Sequence, residues 1–532
     1  MCGIVGYIGK KQAMPILLDG LKKLEYRGYD SSGVAIFDKT TKTFKSVGKI
    51  KELEKKIGNK NVTGSIGIAH TRWATHGKPS KANAHPHSDC TGKFQVVHNG
   101  IIENYAELKE KLKKKGHKFC SQTDTEVIPH LIEDLYKGDL AKTLKEVLHI
   151  IKGAYGLVVF SEKEPKKLFV ARCGSPLVIG VGEGETVIAS DVSAILQYTK
   201  KVVYLEDGEM AEITMEGYRV FDASSNLVQK NIEDVKWDIE EVSKKGFEHF
   251  MLKEIFEQPK SLKDTFGGRI SIEDGRAKLG GLNEVSDRLR DIERIIIVAC
   301  GTAWHAGLIG EYMLEEYAGI PVEVEWASEF RYRNPILDKK TAVIAISQSG
   351  ETADTLAGIR EAKNKGALIL GVVNSVGSTI ARETDAGIYN HIGPEVSVAS
   401  TKAFTSQVAI LALMTVFLGR QRRMSLVMGQ RILSELKELP KRVEEFLQDN
   451  NVEEIAKRYY KVKDFAFLGR KYCQPLASEG ALKLKEISYI HAEGFPSGEM
   501  KHGSIALIDK KFPSFFIAPK DSVKDLKKLL MK

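Results

Sequence analysis

The chain has 532 residues, of which 42% are hydrophobic and 28% charged, a globular composition long enough for about three domains and neither disordered nor fibrous. Its net charge of +9 is spread out, and Lys-rich stretches such as Leu108–His117 carry acidic residues beside the lysines, which argues against a nucleic-acid footprint. The six cysteines (2, 90, 120, 173, 300 and 473) form no CxxC pair, the opening MCGIVGYIGK has no signal-peptide pattern, and the longest apolar run, Val408–Leu418, is shorter than a bilayer span. The expectation is therefore a soluble, cytoplasmic protein with no zinc or iron–sulfur centre, no bound cofactor and no membrane partner.

In chain order, short β-like runs come first: Ile4–Ile8, Val34–Phe37, Ile66–Ala69, Phe94–Val97, Leu157–Phe160, Leu177–Val181 and Val187–Ala189. Helical periodicity interrupts them at Met14–Leu24, Tyr105–Lys115, Thr125–Tyr136 and Ala141–Ile151, so this half reads as α+β with antiparallel sheets. From about 215 to 290 the composition is more charged, a linker-like stretch with one predicted helix, Glu248–Glu257, stopped by Pro259. Beyond Asp291 apolar strands alternate with helices: Ile295–Ala299, Ala342–Ile346 and Ala367–Val373. That pattern predicts a doubly wound parallel α/β sheet buried on both faces. Phe465–Leu468 followed by Gly469-Arg470 and a helix repeats the Ile295–Gly301 pattern, which predicts two such domains in tandem.

Cys2 becomes the N-terminal residue when Met1 is removed, bringing a thiol and a free α-amine onto one residue. The amine, with an ordinary pKa of about 7.7–8.0, can act as base to the thiol; the bland alternative is a small buried residue opening a strand. The segment His70–Gly77 (HTRWATHG) ends a strand with a guanidinium, an indole and hydroxyls. Arg72 there suits either a bidentate clamp on a carboxylate or a surface ion pair. Asn99-Gly100 supplies two donors for an oxyanion, or else a plain hairpin turn. Ser121–Glu126 opens a helix with Asp124 near its positive end. The histidines at 70, 76, 85, 87 and 98 have no accompanying acidic ligand, so no metal is expected on them.

In the second half, Ser347–Thr352 (SQSGET) follows an apolar strand and opens a helix, with amides and hydroxyls suited to a phosphate dianion. It matches neither GxxxxGK[ST] nor GxGxxG. Val398–Lys402 is a second hydroxyl-rich helix start. Lys483 and Glu486 share a helix face, either for proton transfer or as an ordinary ion pair.

MCGIVGYIG, EYRGYDSSG, HTRWATHG, NAHPH, VVHNGIIEN and SQTDTEVI resemble the glutaminase domain of class II (N-terminal-nucleophile) glutamine amidotransferases. SQSGETADT, ASEFRYR and VASTKAF resemble the sugar isomerase domains of one branch, the isomerising glutamine–fructose-6-phosphate aminotransferases. The resemblance implies an αββα-sandwich glutaminase over 2–217, a linker over 218–283, and sugar isomerase domains over 284–424 and 455–532. Its substrates would be L-glutamine and fructose 6-phosphate, in an enzyme that opens amino-sugar synthesis. Carried over, Cys2 is the nucleophile and Asn99 and Gly100 bind the oxyanion. Arg72, Thr75, His76 and Asp124 hold glutamine, and Trp73 helps to gate the ammonia path. Thr302, Ser347, Gln348, Ser349 and Thr352, with Val398 nearby, bind the sugar phosphate. Glu486 moves the C1/C2 proton, Lys483 supports it, and His502 opens the ring from the partner subunit of a homodimer. Ala303 departs from the family, which often has Ser there.

Adding the 46-residue interval from Gly301 to Ser347 to Gly469 reaches Phe515, so the second sugar domain is expected to reach its second strand, Phe515–Ala518, and a helix at Val523–Met531. The same arithmetic leaves it incomplete, and the resemblance places a Schiff-base lysine in a tail beyond it. The reading is an isomerising amidotransferase that moves the amide nitrogen of glutamine to fructose 6-phosphate, giving glucosamine 6-phosphate and glutamate. The expectation for the 532-residue chain as written is that it hydrolyses glutamine without appreciable synthesis of the amino sugar. The alternatives are a form limited to glutaminase and sugar-phosphate binding, or a sugar-phosphate-binding regulator.

Overall fold

A computed structural model describes residues 2–25, 28–58, 60, 62–73, 76–235, 244–448 and 451–519. The chain divides into two compact units, Met1–Ser243 and Lys244–Lys532.

The first unit begins with β1 (Gly3–Gly9), α1 (Ala13–Leu24), β2 (Ser31–Asp38), β3 (Thr40–Val47), α2 (Ile50–Ile57), β4 (Ile66–Arg72), β5 (His87–Ser88) and β6 (Phe94–Ile102). Three helices follow, α3 (Tyr105–Lys114), α4 (Val127–Leu135) and α5 (Leu140–Ile150). Then come β7 (Gly153–Ser161), β8 (Leu168–Cys173), β9 (Val178–Val181), β10 (Glu185–Ala189) and β11 (Lys201–Tyr204). The last strands are β12 (Met210–Thr214), β13 (Gly217–Phe221), β14 (Leu227–Val228) and β15 (Glu233–Asp234). They form an eight-stranded sheet ordered β15-β11-β9-β10-β1-β4-β2-β3 and a seven-stranded sheet ordered β14-β13-β12-β8-β7-β6-β5.

Strand alternation builds the layers. In β1, Ile4 and Ile8 join Ile68, Val97, Val158 and Phe160 in a core between the sheets, while Val5 and Tyr7 meet α1 through Leu17 and Leu21. On the far face of the second sheet, α3, α4 and α5 bury Leu108, Leu131 and Leu144 against Phe94, Val96 and Leu157. The result is the expected αββα sandwich. On α3, Lys111 pairs with Glu107 at 2.6 Å and Lys113 with Glu110 at 2.8 Å, the solvated charged face expected of that Lys-rich run.

The second unit opens with α6 (Phe250–Phe266), a short hairpin of β16 (Ile270–Ser271) and β17 (Arg276–Ala277), and α7 (Ser286–Arg290). There follow β18 (Arg294–Ala299), α8 (Thr302–Met313), β19 (Val322–Trp326), α9 (Ala327–Phe330), β20 (Thr341–Ser347) and α10 (Ala353–Asn364). Next are β21 (Leu368–Val373), α11 (Thr379–Glu383), β22 (Ala386–Tyr389), α12 (Lys402–Arg420), α13 (Leu426–Gln448) and α14 (Val452–Tyr459). The described chain finishes with β23 (Asp464–Gly469), α15 (Cys473–Ser488), β24 (His491–Pro496) and β25 (Ser514–Phe516). The first sheet, β19-β18-β20-β21-β22, is parallel throughout. Ile295 and Ile297 of β18 face one core and Ile296 and Val298 the other, so both faces are covered, as a doubly wound sheet requires. The second sheet, β24-β23-β25, is also parallel and repeats the order β19-β18-β20.

Several expectations need correction. The stretch 218–283 is not a linker: its first part supplies β13 to β15 of the first unit, and α6 packs Leu262 and Phe266 into the core of the second. Pro259 does not stop α6 but lies inside it. A proline there leaves the carbonyl of Ile255 without its amide partner, and the Gln258 side chain donates to that oxygen at 3.0 Å instead. The apolar run at 408–418 is part of the 19-residue α12, which is long and apolar enough to cross a bilayer. Of its most apolar window, 83% is buried inside the unit, the situation of a core helix. In both sugar domains a strand intervenes between the first helix and the strand expected second, β19 and β24 respectively. The helix expected at Val523–Met531 lies outside the described residues.

Candidate active sites

Antiparallel pairing of β1 with β4, Gly3 opposite Thr71, sets Cys2 beside the end of β4. The Trp73 N–H donates to Cys2 Sγ at 3.3 Å, and the thiol lies 3.6 Å from the Trp73 carbonyl. Burial pushes the Cys2 thiol up, against the downward pull of the Trp73 amide. A thiol held protonated needs a base when it attacks. His70 is unsuited to that: burial lowers its pKa to about 3, and its Nε2 faces two acceptors, the His98 carbonyl at 3.0 Å and Asn99 Oδ1 at 3.1 Å. Nε2 therefore carries the proton and donates.

With its oxygen held by His70, Asn99 turns its Nδ2 toward Cys2 and donates to the Cys2 carbonyl at 3.2 Å. Asn99-Gly100 is not a hairpin turn, because β6 continues to Ile102, with Asn99 opposite Gly156 and Gly100 opposite Tyr155. Gly100 has φ +125°, and a Cβ there would lie 2.0 Å from the Ala154 carbonyl, so only glycine fits.

Arg72, the last residue of β4, is 3% exposed. One guanidinium nitrogen, Nη2, donates to the carbonyls of His76 and Gly77. Nη1 is buried without a hydrogen-bond partner among the described residues, a donor available to an anion. Nearby, Asp124 Oδ2 accepts the Ile102 N–H at 2.8 Å, and Oδ1 lies 4.0 Å from His76 Nδ1. His76 packs edge-on against Tyr105, and the exposed Trp73 against Tyr29. Thr75 lies outside the described residues.

Beneath this rim three of the histidines grouped in the sequence, His85, His87 and His98, form a buried cluster. His98 Nδ1 and His85 Nε2 both meet Thr125 Oγ1, at 2.8 and 3.0 Å, and His87 Nε2 meets Thr123 Oγ1 at 3.0 Å. Burial lowers the pKa of all three, so they act as neutral hydrogen-bonding groups.

In the second unit, parallel pairing of β18 with β20, Ala299 opposite Ile346, puts Thr302 and the Ser347 loop at the same carboxyl edge of the sheet. That is where open α/β sheets bind ligands. Ser347 ends β20 and Thr352 caps α10; their hydroxyls are 2.9 Å apart. Ser347 Oγ accepts the Gly350 N–H and Ser349 Oγ the Glu351 N–H, which pulls the loop into a tight turn. Gly350 has φ +66°, and a Cβ would meet Ser378 Oγ at 2.0 Å. Gln348 contributes its carbonyl to Asn374, and Val398 is exposed on the loop before α12. Ala303 is buried on α8.

Thr302 also binds residues of α15. Lys483 Nζ donates to Thr302 Oγ1 at 2.9 Å, and Thr302 donates to Glu479 Oε1 at 2.9 Å. Lys483 further lies 2.7 Å from Glu486 Oε2 and 3.2 Å from Glu479 Oε1. Glu479, which the sequence reading passed over, holds His305 as well, at 2.7 Å; its spacing of four from Lys483 was the available signal. His502, on the turn Glu499–His502, is exposed, and its side chain has no hydrogen bond or ion pair among the described residues.

A model of the glutamine amidotransferase domain matches residues 57–255, and one of the SIS domain matches 288–417 and 458–532. A glutamine–fructose-6-phosphate aminotransferase (isomerizing) of Chlorobaculum tepidum is 53% identical over 98% of this chain and 86% of its own length. One of the same description from Thermus thermophilus is 50% identical with the same coverage. Among solved structures, the C-terminal domain of glucosamine-fructose-6-phosphate aminotransferase from Francisella tularensis matches with TM-score 0.52 and 38% identity, over 54% of this chain and 81% of that one.

Proposed function

The chain belongs to the isomerising glutamine–fructose-6-phosphate aminotransferases, and from that premise we propose which of its residues perform the family's reaction. It transfers the amide nitrogen of L-glutamine to D-fructose 6-phosphate, giving D-glucosamine 6-phosphate and L-glutamate. Readings limited to glutaminase with sugar-phosphate binding, or to a sugar-phosphate-binding regulator, are not favoured by relatives that match over nearly the whole chain.

In the first unit Cys2 Sγ attacks the amide carbon and passes its proton to its own α-amine. The α-amine gives it to the amide nitrogen as the C–N bond breaks and ammonia leaves; water then hydrolyses the thioester to glutamate. The amide oxygen gathers charge against Asn99 Nδ2 and the Gly100 N–H. Arg72 takes the α-carboxylate on its unused Nη1, and Asp124 with His76 and Thr75 takes the α-amino end. Trp73 borders the way out for ammonia. In the second unit the hydroxyls of Thr302, Ser347, Ser349 and Thr352, with Gln348 and the neighbouring Val398, receive the sugar phosphate. Glu486 moves the proton between C1 and C2, steadied by Lys483, and His502 opens the ring from the partner subunit of a homodimer. The reaction takes place in the cytoplasm and involves no nucleic acid or membrane.

The observation that carries the glutaminase assignment is the Asn99 amide, turned toward Cys2 by a neutral His70 beside a buried Arg72 with a free N–H. The test measures both products. Cys2→Ala should abolish glutamate and glucosamine 6-phosphate together. Glu486→Gln should leave glutamate formation intact and lower the sugar product by about 100-fold or more. Glutamate formation persisting in Cys2→Ala would refute the assignment.

A further inference from the structure

Away from Cys2, four side chains of the first unit direct their metal-binding atoms at one point. Cys90 lies on the loop after β5, His117 on the segment between α3 and α4, and His130 and Glu133 one turn apart on α4. Cys90 Sγ is 3.8 Å from His117 Nδ1 and 3.5 Å from His130 Nδ1. The two Nδ1 atoms are 3.3 Å apart, and Glu133 Oε2 is 3.1 Å from the first and 3.6 Å from the second. All four ligand atoms lie within 4.8 Å of one another.

Five of the six separations, 3.1–3.8 Å, are close to the edges of a tetrahedron, and the sixth, Cys90 Sγ to Glu133, is within 4.8 Å. With bonds of about 2.0–2.1 Å to nitrogen and oxygen and about 2.3 Å to sulfur, tetrahedral zinc sets its ligand atoms roughly 3.3–3.6 Å apart. Two imidazole nitrogens facing each other at 3.3 Å can share one proton, but a sulfur and a carboxylate oxygen point at the same spot. A divalent cation satisfies all four.

The surroundings match as well. Each histidine turns its other nitrogen toward a carboxylate: His130 Nε2 to Glu126 at 4.0 Å and His117 Nε2 to Asp134 at 3.9 Å. At these distances the carboxylates are electrostatic neighbours rather than hydrogen-bond acceptors, and their charge favours a cation on the far side of each ring. His130 is 1% exposed, and its Nε2 is buried without a hydrogen bond among the described residues. The Lys118 N–H reaches Cys90 Sγ at 3.4 Å, a donor suited to a thiolate, and Cys90 is in no disulfide.

We propose that Cys90, His117, His130 and Glu133 form a closed tetrahedral site for Zn2+. A thiolate with two imidazoles selects a borderline-soft ion over magnesium or calcium, and four protein ligands leave no open position, which marks the site as structural. The zinc ties the Cys90 loop and the segment before α4 to α4 itself. No short cysteine spacing announces the site, because its other ligands stand 27, 40 and 43 residues from Cys90.

The test uses the full chain, stripped with chelator and titrated with Zn2+ against a chromophoric competitor, then with Co2+ as a spectroscopic probe. The expected result is one Zn2+ per chain, and a Co2+ form with tetrahedral visible bands and a thiolate-to-cobalt charge-transfer band. Cys90→Ser, at the surface, should remove the charge-transfer band and weaken zinc by about 100-fold or more. Binding of well under one equivalent, or binding and spectra unchanged in Cys90→Ser, would overturn the proposal.

Discussion

The two units prepare for their substrates in opposite ways. Around Cys2 the arranging groups are neutral: His70 orients Asn99, and His85, His87 and His98 sit behind on threonine hydroxyls. Arg72, a buried cation there, has an N–H without a hydrogen-bond partner among the described residues. Around Thr302 the arranging groups are charged and already ion-paired, with Lys483 between Glu479 and Glu486. A cation whose charge is balanced in the resting protein has little left for a phosphate, so the phosphate falls to the hydroxyls and amides of the Ser347 loop. Under the proposed assignment the first site would receive a charged amino acid, and the second would move protons and bind its anion by dipoles.

The contrast can be broken first at Asn99. If its amide is a preset oxyanion donor, Asn99→Ala should lower kcat for glutamate formation by about 10²–10³-fold, roughly 2.7–4 kcal/mol, with KM for glutamine little changed. A rate within a few-fold of the parent would mean that Asn99 serves only the fold. Arg72 sharpens it next. Arg72→Lys keeps the charge but loses the fork, and KM for glutamine should rise about 10–100-fold, roughly 1.4–2.8 kcal/mol. An unchanged KM would return Arg72 to a structural role.

Where periodicity was clean, the elements were legible: Met14–Leu24 became α1 and Ile295–Ala299 became β18. Thr40–Val47 was overlooked because it is an edge strand, paired only with β2 and largely polar. Val322–Trp326, in which glutamates alternate with apolar residues, is likewise an edge strand of its sheet. Pro259 misled because its compensation, the Gln258 side chain, is invisible to backbone rules. At the candidate sites, Cys2, Arg72 and Asn99 could be singled out by chemical type, and the structure brings them together. What the sequence could not show was pairing across layers. His70 belongs to one sheet and Asn99 to the other, and the four ligands around Cys90 are joined only by folding.

The smallest expected effect concerns pH, and it follows from the neutral histidines. Burial holds His70, His85, His87 and His98 below their ordinary pKa. As pH falls through about 6.5 the unfolded chain takes up protons that the folded unit refuses, so stability is greatest above that pH and declines below it, toward about pH 3 for His70. Between pH 7.5 and 6.0 His70, His85 and His87, held well below that range, should each remove about 0.8 kcal/mol. In the second unit every described histidine is half-buried or exposed, so the acid-sensitive transition should belong to the first. His87→Gln isolates one member, since a glutamine amide can still donate to Thr123 Oγ1. Whatever the variant does to stability at pH 7.5, its further loss on going to pH 6.0 should be smaller than the parent's by about 0.8 kcal/mol, measured by denaturant unfolding at both pH values. An identical loss in parent and variant would show that His87 titrates normally in the folded protein, and the neutral scaffold behind Cys2 would then have to be redrawn.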